Sequence, residues 1–431
     1  MTLQGDVYIG EFKQQVAALE GFTNEPAFGQ DNADVSGGNV LLRWRRSLSE
    51  GADWEFQAYY DHTKRDELNL YQQVDTMDLE FQRRFPLTDS QEITWAELPV
   101  HIRPIEGTFA ATLDPLEWEQ DLYSAFIQDE LHLSQSLHLS LGSKFEHNDF
   151  TGFEYQPSVS LIWQLAEHPS LRGAVSRAVR TPSRVERDMR INVAAFSSPF
   201  YDPDGSGHLD AGDYTLISVF GNKDFESEEL LGYELGYRGQ LEQNLSLDSA
   251  AFYYFFKNLL TSEAGEPYVE GDPSTNAVIS TSFDNNMDGE SYGLELAVNW
   301  QVRSDWRLHM SYTWLRLDMD LKSSSTDTTH VALAEKSSPE HQFQLHSFWN
   351  VRHDMEVDTA LYYVASVEIG DAQVPAYTRL DVRFGWKPTE NLELSFAGQN
   401  LFDDRHTEFY NRDSITSEVS RTLYAQLTLR Y

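Results

Sequence analysis

Two groups of side chains in this sequence have types and spacing that suit chemistry. The first is the run YDPDGSGHLDAGDY, Tyr201 to Tyr214. Asp202, Asp204, Ser206, the His208 carbonyl, Asp210 and Asp213 follow one another in the oxygen-ligand order of an EF-hand calcium loop. Gly205 and Gly207 suit the tight path of such a loop. Against a strong site, the twelfth position is Asp rather than the longer Glu, and extended-looking AFSSPF and TLISVF flank it instead of helices. The readings are a solvated Asp/Gly turn or a weak calcium site that stiffens a loop. A similar but weaker run is Asp284, Asn286, Asp288 and Gly289 with Glu295. The second group is Arg177, Arg180, Arg184, Arg187 and Arg190, whose guanidiniums suit an anionic ligand, lipid-borne phosphate or acids of neighbouring loops. Catalysis is not expected. None of the Ser or His residues stands in a Gly-x-Ser-x-Gly elbow or a His-Glu-x-x-His helix. His341 and His346 lie five apart in a strand, so they point to opposite faces.

The elements that must position these residues alternate with period two. Leu231, Tyr233, Leu235 and Tyr237 oppose Gly232, Glu234, Gly236 and Arg238. Leu294, Leu296, Val298 and Trp300 oppose Gly293, Glu295, Ala297 and Asn299, and the chain ends alike on Leu427, Leu429 and Tyr431. Such runs are strands with one apolar and one polar face. Short polar turns fall near Ser134–Gln135, Gln240–Asn244, Val302–Asp305, Arg352–Met355 and Pro388–Asn391. Long links take turns with them, at Phe12–Gly37, Arg103–Gln120, Arg180–Glu228, Asn258–Asp288, Asp318–Ser338 and Leu401–Ser420. Alternating short and long connections predict an all-β, transmembrane antiparallel barrel of about eighteen strands, the first being Thr2–Glu11. Aromatics at strand ends, Trp306, Trp314, Trp386 and Tyr431, suit an interfacial girdle. A soluble propeller is the competing architecture, but no repeat of propeller length is visible.

Composition agrees. There are 69 acidic and 32 basic residues, a balance of −37 that argues against nucleic acid. Aromatics at 13 % are too many for a disordered acidic chain. There is no cysteine, so neither disulfides nor thiolate metal sites form. No apolar run reaches membrane-helix length, and MTLQGDVYIGEF has no signal-peptide character. A mean hydropathy of −0.50 does not argue against a barrel, whose strands alternate.

Three stretches resemble the TonB-dependent outer-membrane receptors: AVSRAVRTPSR (Ala174–Arg184), FGNKDFESEELLGYELGYRG (Phe220–Gly239) and GQNLFDDRHTEFY (Gly398–Tyr410) leading to RTLYAQLTLRY. Lys223 and Ser227 stand where the second motif usually has proline, and GESYGLELAVNW (Gly289–Trp300) also resembles a recurrent barrel strand of the family. The resemblance spans nearly the whole chain, one barrel domain over residues 1–431. It implies a receptor in the outer membrane of a Gram-negative bacterium, with lipid and lipopolysaccharide around it. Such a receptor takes up a scarce ligand such as an iron-siderophore, energised by the TonB–ExbB–ExbD system. On this reading Arg180, Arg184, Arg187 and Arg190 are candidates for an anionic siderophore, and calcium in the Asp202–Asp213 loop is the one cofactor considered. The family barrel has 22 strands and a plug domain, and this sequence contains neither plug nor TonB box. A truncated or mis-started reading frame is the expectation, with a plugless, porin-like channel as the alternative. Alternation places Glu234, Arg238, Asp248, Glu295, Arg379, Asp381, Arg383, Gln399 and Arg430 on the lumen face.

Overall fold

The computed structural model describes residues 1–18, 27–49, 51–67, 70–88, 91–102, 105–107, 111–115, 118–166, 169–197, 214–271, 274–370, 372–410 and 418–430. Its main sheet is a meander of long strands: Thr2–Ala18, Ala27–Ser49, Ala52–Glu67, Leu70–Thr88, Gln91–Ile102 and Gln120–Ser134 come first. Leu137–Asn148, Gly152–Gln164, Ser170–Arg180, Glu228–Glu242, Leu245–Ala264 and Ser274–Arg303 follow. Trp306–Leu321, His341–Arg352, Met355–Val364, Tyr377–Thr389, Leu392–Gln399 and Thr422–Leu429 complete it. Each pairs antiparallel with the next, so seventeen successive pairings join eighteen strands. Five short strands bring the sheet to 23. Among the described residues no pairing joins the first long strand to the last. Both edge strands expose their side chains accordingly, Leu3 at 70 % and Leu423 at 74 %.

Tight turns close one rim of the meander, after Ser49, Ser134, Glu242, Arg303, Arg352 and Thr389. At the first of these, Gly51 has φ +77, a left-handed conformation that side chains with a Cβ resist. Thr2 pairs with Arg43 and Leu429 with Leu392, so the described chain starts and ends on this short-turn rim.

The register carries the two faces across the sheet. Directly paired residues point the same way, so the row Val175, Tyr233, Tyr253, Tyr292 shares one face. Leu296, Tyr312, Phe343 and Tyr363 lie on that face too, as do Leu427 and Leu394. Leu231, Tyr233, Leu427 and Leu429 are exposed on it. The opposite face carries every residue assigned to the lumen by alternation, with Arg238 opposite Asp248 and Arg383 opposite Asp358. Among the described residues no helix is long and apolar enough to cross a membrane, which says nothing of strands. The sheet has a lipid face and a water face rather than a central core.

Tryptophans mark the depth of the lipid face. Trp306 and Trp314 lie eight residues apart on one strand, as do Trp300 and Tyr292 on the next. Eight residues at about 3.3 Å, tilted about 40°, span about 20 Å, close to the apolar band of an outer-membrane barrel. Trp306 and Trp349 pack with ring centroids 6.3 Å apart at the short-turn rim.

The water face is held by charge. Arg383 reaches Glu356 at 2.6 Å, Asp358 at 3.0 Å and Glu393 at 3.1 Å, and Arg430 meets Glu393 at 3.2 Å. These groups are partly solvated, so the pairs contribute modestly. Arg383→Met is expected to lower unfolding free energy by about 1 kcal/mol, because three carboxylates then face one another. Urea titration at low and high salt checks this. The deficit shrinks as salt screens the carboxylates.

Two links read as loops are largely strand. The Asn258–Asp288 link is the continuation of Leu245–Ala264 and Ser274–Arg303 beyond the lipid band, and the Phe12–Gly37 link extends its strands likewise. Outside lipid no apolar alternation is required, so the extension left no periodic signal. Bulges at Phe256/Leu259 and Leu259/Thr261, with Asn258 at φ 58, also break the period.

Candidate functional site

Three substructures occupy the long-link rim. The first is built on the Arg180–Glu228 link. Ser183 caps the helix Arg184–Asp188, and Glu186 returns the bond to the Ser183 backbone N–H, forming a capping box. The strand Met189–Ser197 then pairs with Tyr214–Phe220, which runs parallel to residues 276–282. Ala195, Leu216 and Val278 are buried there with Phe220 against them, a small apolar core that seats the link on the sheet.

All five arginines of the predicted cluster lie here, each with an acceptor in the chain. Arg177 pairs with Glu229 at 2.8 Å and covers the Tyr155 ring. Arg180 bridges Glu186 and Glu228, both at 2.7 Å. The hydrogen bonds it donates to Glu228 and then to Glu186 raise its pKa further above the ordinary arginine value. Arg184 donates to the Pro115 carbonyl and lies 3.7 Å from Asp188. Arg187 donates to the Phe150 carbonyl at 2.6 Å and covers that ring. Arg190 meets Glu270 through both terminal nitrogens, at 2.9 and 2.6 Å. The cluster is dispersed among carboxylates rather than gathered on one open surface.

The second substructure is a latch between the Leu245–Ala264 strand and residues 322–330. The Glu263 carboxylate accepts from Thr261 Oγ1, Ser325 Oγ and both the N–H and hydroxyl of Thr326, at 2.6–2.9 Å. Partial burial opposes its charged form, but these bonds outweigh burial and hold its pKa down to about 2. Asp327, whose side chain is fully buried, accepts from the N–H groups of Ser262, Thr329 and His330 and from the His330 ring.

The third is a cavity of about 990 Å³ between the helix His330–Lys336, the hairpin Val367–Ile369/Ala372–Val374 and the segment Glu408–Tyr410. Its floor includes Val364 and Tyr377, paired on the lumen face. Tyr377 stacks on His406 at 4.3 Å, and Glu408 accepts from His406 at 3.0 Å and pairs with Arg379 at 3.7 Å. Lys336 and Glu368 form a 2.6 Å pair at its wall. Aliphatic and aromatic walls with a few charged groups at the edge suit a mostly apolar ligand of small-molecule size.

The run Asp202, Asp204, Ser206, His208, Asp210 and Asp213 lies outside the described residues. The second acidic run lies within the strand Ser274–Arg303, not a loop. Asp284 accepts from Asn285 and Asn286, and Asp288 from the Asn258 N–H. Among the described residues no three His, Asp or Glu side chains gather as metal ligands. Sequence reasoning missed the cavity. Phe409 and Tyr410 lay inside a recognised motif, but they meet Tyr377 more than thirty positions away and Lys336 more than seventy away.

The family described as "TonB dependent receptor-like, beta-barrel" matches residues 3–401. The chain belongs to this family. It is 22 % identical to the iron-regulated outer membrane virulence protein of Vibrio cholerae, over 65 % of this chain and 40 % of that protein. It is 24 % identical to the metal-pseudopaline receptor CntO of Pseudomonas aeruginosa, over 73 % of this chain and 41 % of that one. In structure it superposes on the ferric enterobactin receptor PfeA of P. aeruginosa with a TM-score of 0.69 at 14 % identity, covering 93 % of this chain and 62 % of the other. The siderophore receptor PirA of Acinetobacter baumannii gives a TM-score of 0.66 at 15 % identity, with the same coverage. The chain thus spans about two-fifths of the length of these curated relatives, and the structural matches establish the barrel fold.

Proposed function

We propose that this barrel serves a receptor of the Gram-negative outer membrane that takes up a metal chelate of the siderophore class, driven through TonB. One observation carries the choice of site: the 990 Å³ cavity sits at the long-link rim with its floor on the lumen face. A ligand held there stands at the entrance to the polar wall. The names of the relatives, an iron-regulated protein, a metal-pseudopaline receptor and a ferrienterobactin receptor, favour a chelated metal as cargo. Tyr377, Phe409 and Tyr410 offer rings to a flat or aromatic chelate, and Lys336, paired with Glu368, is the cation of the lining. In this reading Arg180, Arg184, Arg187 and Arg190, taken up by acceptors of the chain, brace the Arg180–Glu228 link rather than the cavity.

Titration of ferric enterobactin into the refolded chain, followed by tryptophan fluorescence, tests the assignment. Tyr377→Ala is expected to weaken binding about tenfold, the loss of one good ring contact. Arg190→Lys, which keeps its charge and lies outside the cavity lining, should leave affinity within about twofold. Equal affinity for wild type and Tyr377→Ala would remove the cavity from the mechanism.

A further inference from the structure

The arginines near the short-turn rim divide by face. On the lumen face Arg43 meets Glu55 at 3.3 Å, and Arg45 and Arg84 share Asp53 at 2.5 and 3.1 Å. On the lipid face Arg46 and Arg83 are exposed, and among the described residues neither has a carboxylate partner, in a chain with 69 acidic groups to 32 basic. The register aligns them. Arg46 lies opposite Trp54, and Trp54 lies opposite Arg83, so the three side chains leave the same face in one row.

We propose that Arg46 and Arg83, with Trp54 between them, bind the phosphate group of a membrane lipid in the leaflet beside the short turns. Three neighbouring strands place the two arginine backbones about 10 Å apart, a gap that two extended guanidiniums close around one phosphate. The planar fork donates two parallel bonds to such an oxyanion. Depth agrees as well. Trp44 packs edge-on against Trp54 at 4.6 Å, and tryptophan belts lie at headgroup level. Arg46 stands two residues nearer the turn than Trp44, so its charge reaches the headgroups rather than the hydrocarbon.

The surroundings favour lipid phosphate over the free anion. Arg83 lies over the Phe85 ring at 5.2 Å, and Trp44, Leu48 and Leu87 are exposed beside the row. These apolar side chains offer acyl tails a surface that inorganic phosphate has no use for. The arginines of the other face are each supplied with a carboxylate, whereas among the described residues neither Arg46 nor Arg83 is, so the lipid-face pair is left for an external anion.

Native mass spectrometry of the full chain, refolded in a neutral detergent, tests this with phosphatidylglycerol, phosphatidylethanolamine and diacylglycerol. Wild type should retain both phospholipids through detergent exchange and lose diacylglycerol. Arg46→Gln/Arg83→Gln should retain about tenfold less phospholipid. Arg46→Lys/Arg83→Lys, which keeps both charges, should hold most of it. Heat-dependent gel mobility confirms that each variant is folded. If the glutamine variant does not fold, the lysine variant and the diacylglycerol comparison decide alone. Equal retention by wild type and the glutamine variant overturns the proposal, as does equal retention of diacylglycerol. Displacement of the lipid by millimolar inorganic phosphate would make this a free-anion site and overturn the lipid assignment.

Discussion

Asp327→Ala is expected to open the latch between residues 322–330 and the Leu245–Ala264 strand. The side chain is fully buried and accepts three backbone N–H groups, from Ser262 at 2.6 Å, Thr329 at 2.6 Å and His330 at 2.9 Å. Removing a buried acceptor leaves its donors unsatisfied, at about 1–3 kcal/mol each when no water replaces it. With partial hydration of the opened loop, the net local loss is about 3 kcal/mol, or roughly a hundredfold in the opening equilibrium. Hydrogen exchange at the Ser262 and His330 amides reads this directly. Asp327→Asn keeps one oxygen and should fall between, at about tenfold. The mouth of the cavity includes Thr328 and Thr329, so ligand affinity should drop with the latch. Unchanged exchange in Asp327→Ala would mean that the loop is held by other contacts.

The same latch has a defined acid dependence. Glu263 is held at about 2 by the hydroxyl and N–H donors that outweigh its partial burial, and Asp327 is likewise lowered by its backbone donors against burial. A carboxylate whose pKa is depressed on folding contributes stability above its unfolded value and loses it as pH falls through the folded one. The Glu263 contribution is therefore constant above about pH 4.5, declines below it, and is gone below about 2. Exchange at the Thr326 amide, corrected for intrinsic rates, should be flat from pH 7 to 5 and rise only below that.

The lipid band was legible because lipid forces it. Runs such as Leu231–Arg238 and Leu294–Asn299 must alternate when one face meets hydrocarbon and the other water, and these strands lie where the period put them. Above the band that constraint ends. The Leu245–Ala264 and Ser274–Arg303 strands continue on backbone ladders and polar side chains, and FDNNMDG reads as loop because nothing there needs to alternate. The helix Arg184–Asp188 did leave a local sign, the Ser183–Glu186 capping box, masked by the preceding proline. The latch and the cavity left none. Glu263 with Thr326, and Lys336 with Tyr377, are set by how separate links fold over one another. No spacing in the chain records that.

Leu296→Arg, on the face assigned to lipid, should be far more damaging than Glu295→Arg one residue away. Leu296 lies midway between Tyr292 and Trp300, the two aromatics that bracket the band on its strand, and opposite Ser249 and Tyr312. An arginine at the bilayer midplane of a barrel costs about 2–4 kcal/mol, because its charge has no water within reach. Glu295 points to the opposite face, is exposed, and lies opposite Ala250 and Thr313, so its replacement meets water rather than hydrocarbon. The expected loss there is under about 1 kcal/mol, within the range of surface substitutions. Urea unfolding of both variants in lipid vesicles measures the difference. In detergent, whose headgroups and water follow a charge more readily, the Leu296→Arg deficit should shrink while Glu295→Arg stays unchanged. Two equal losses in vesicles would place both faces in the same surroundings and end the assignment of this sheet as a membrane-spanning wall.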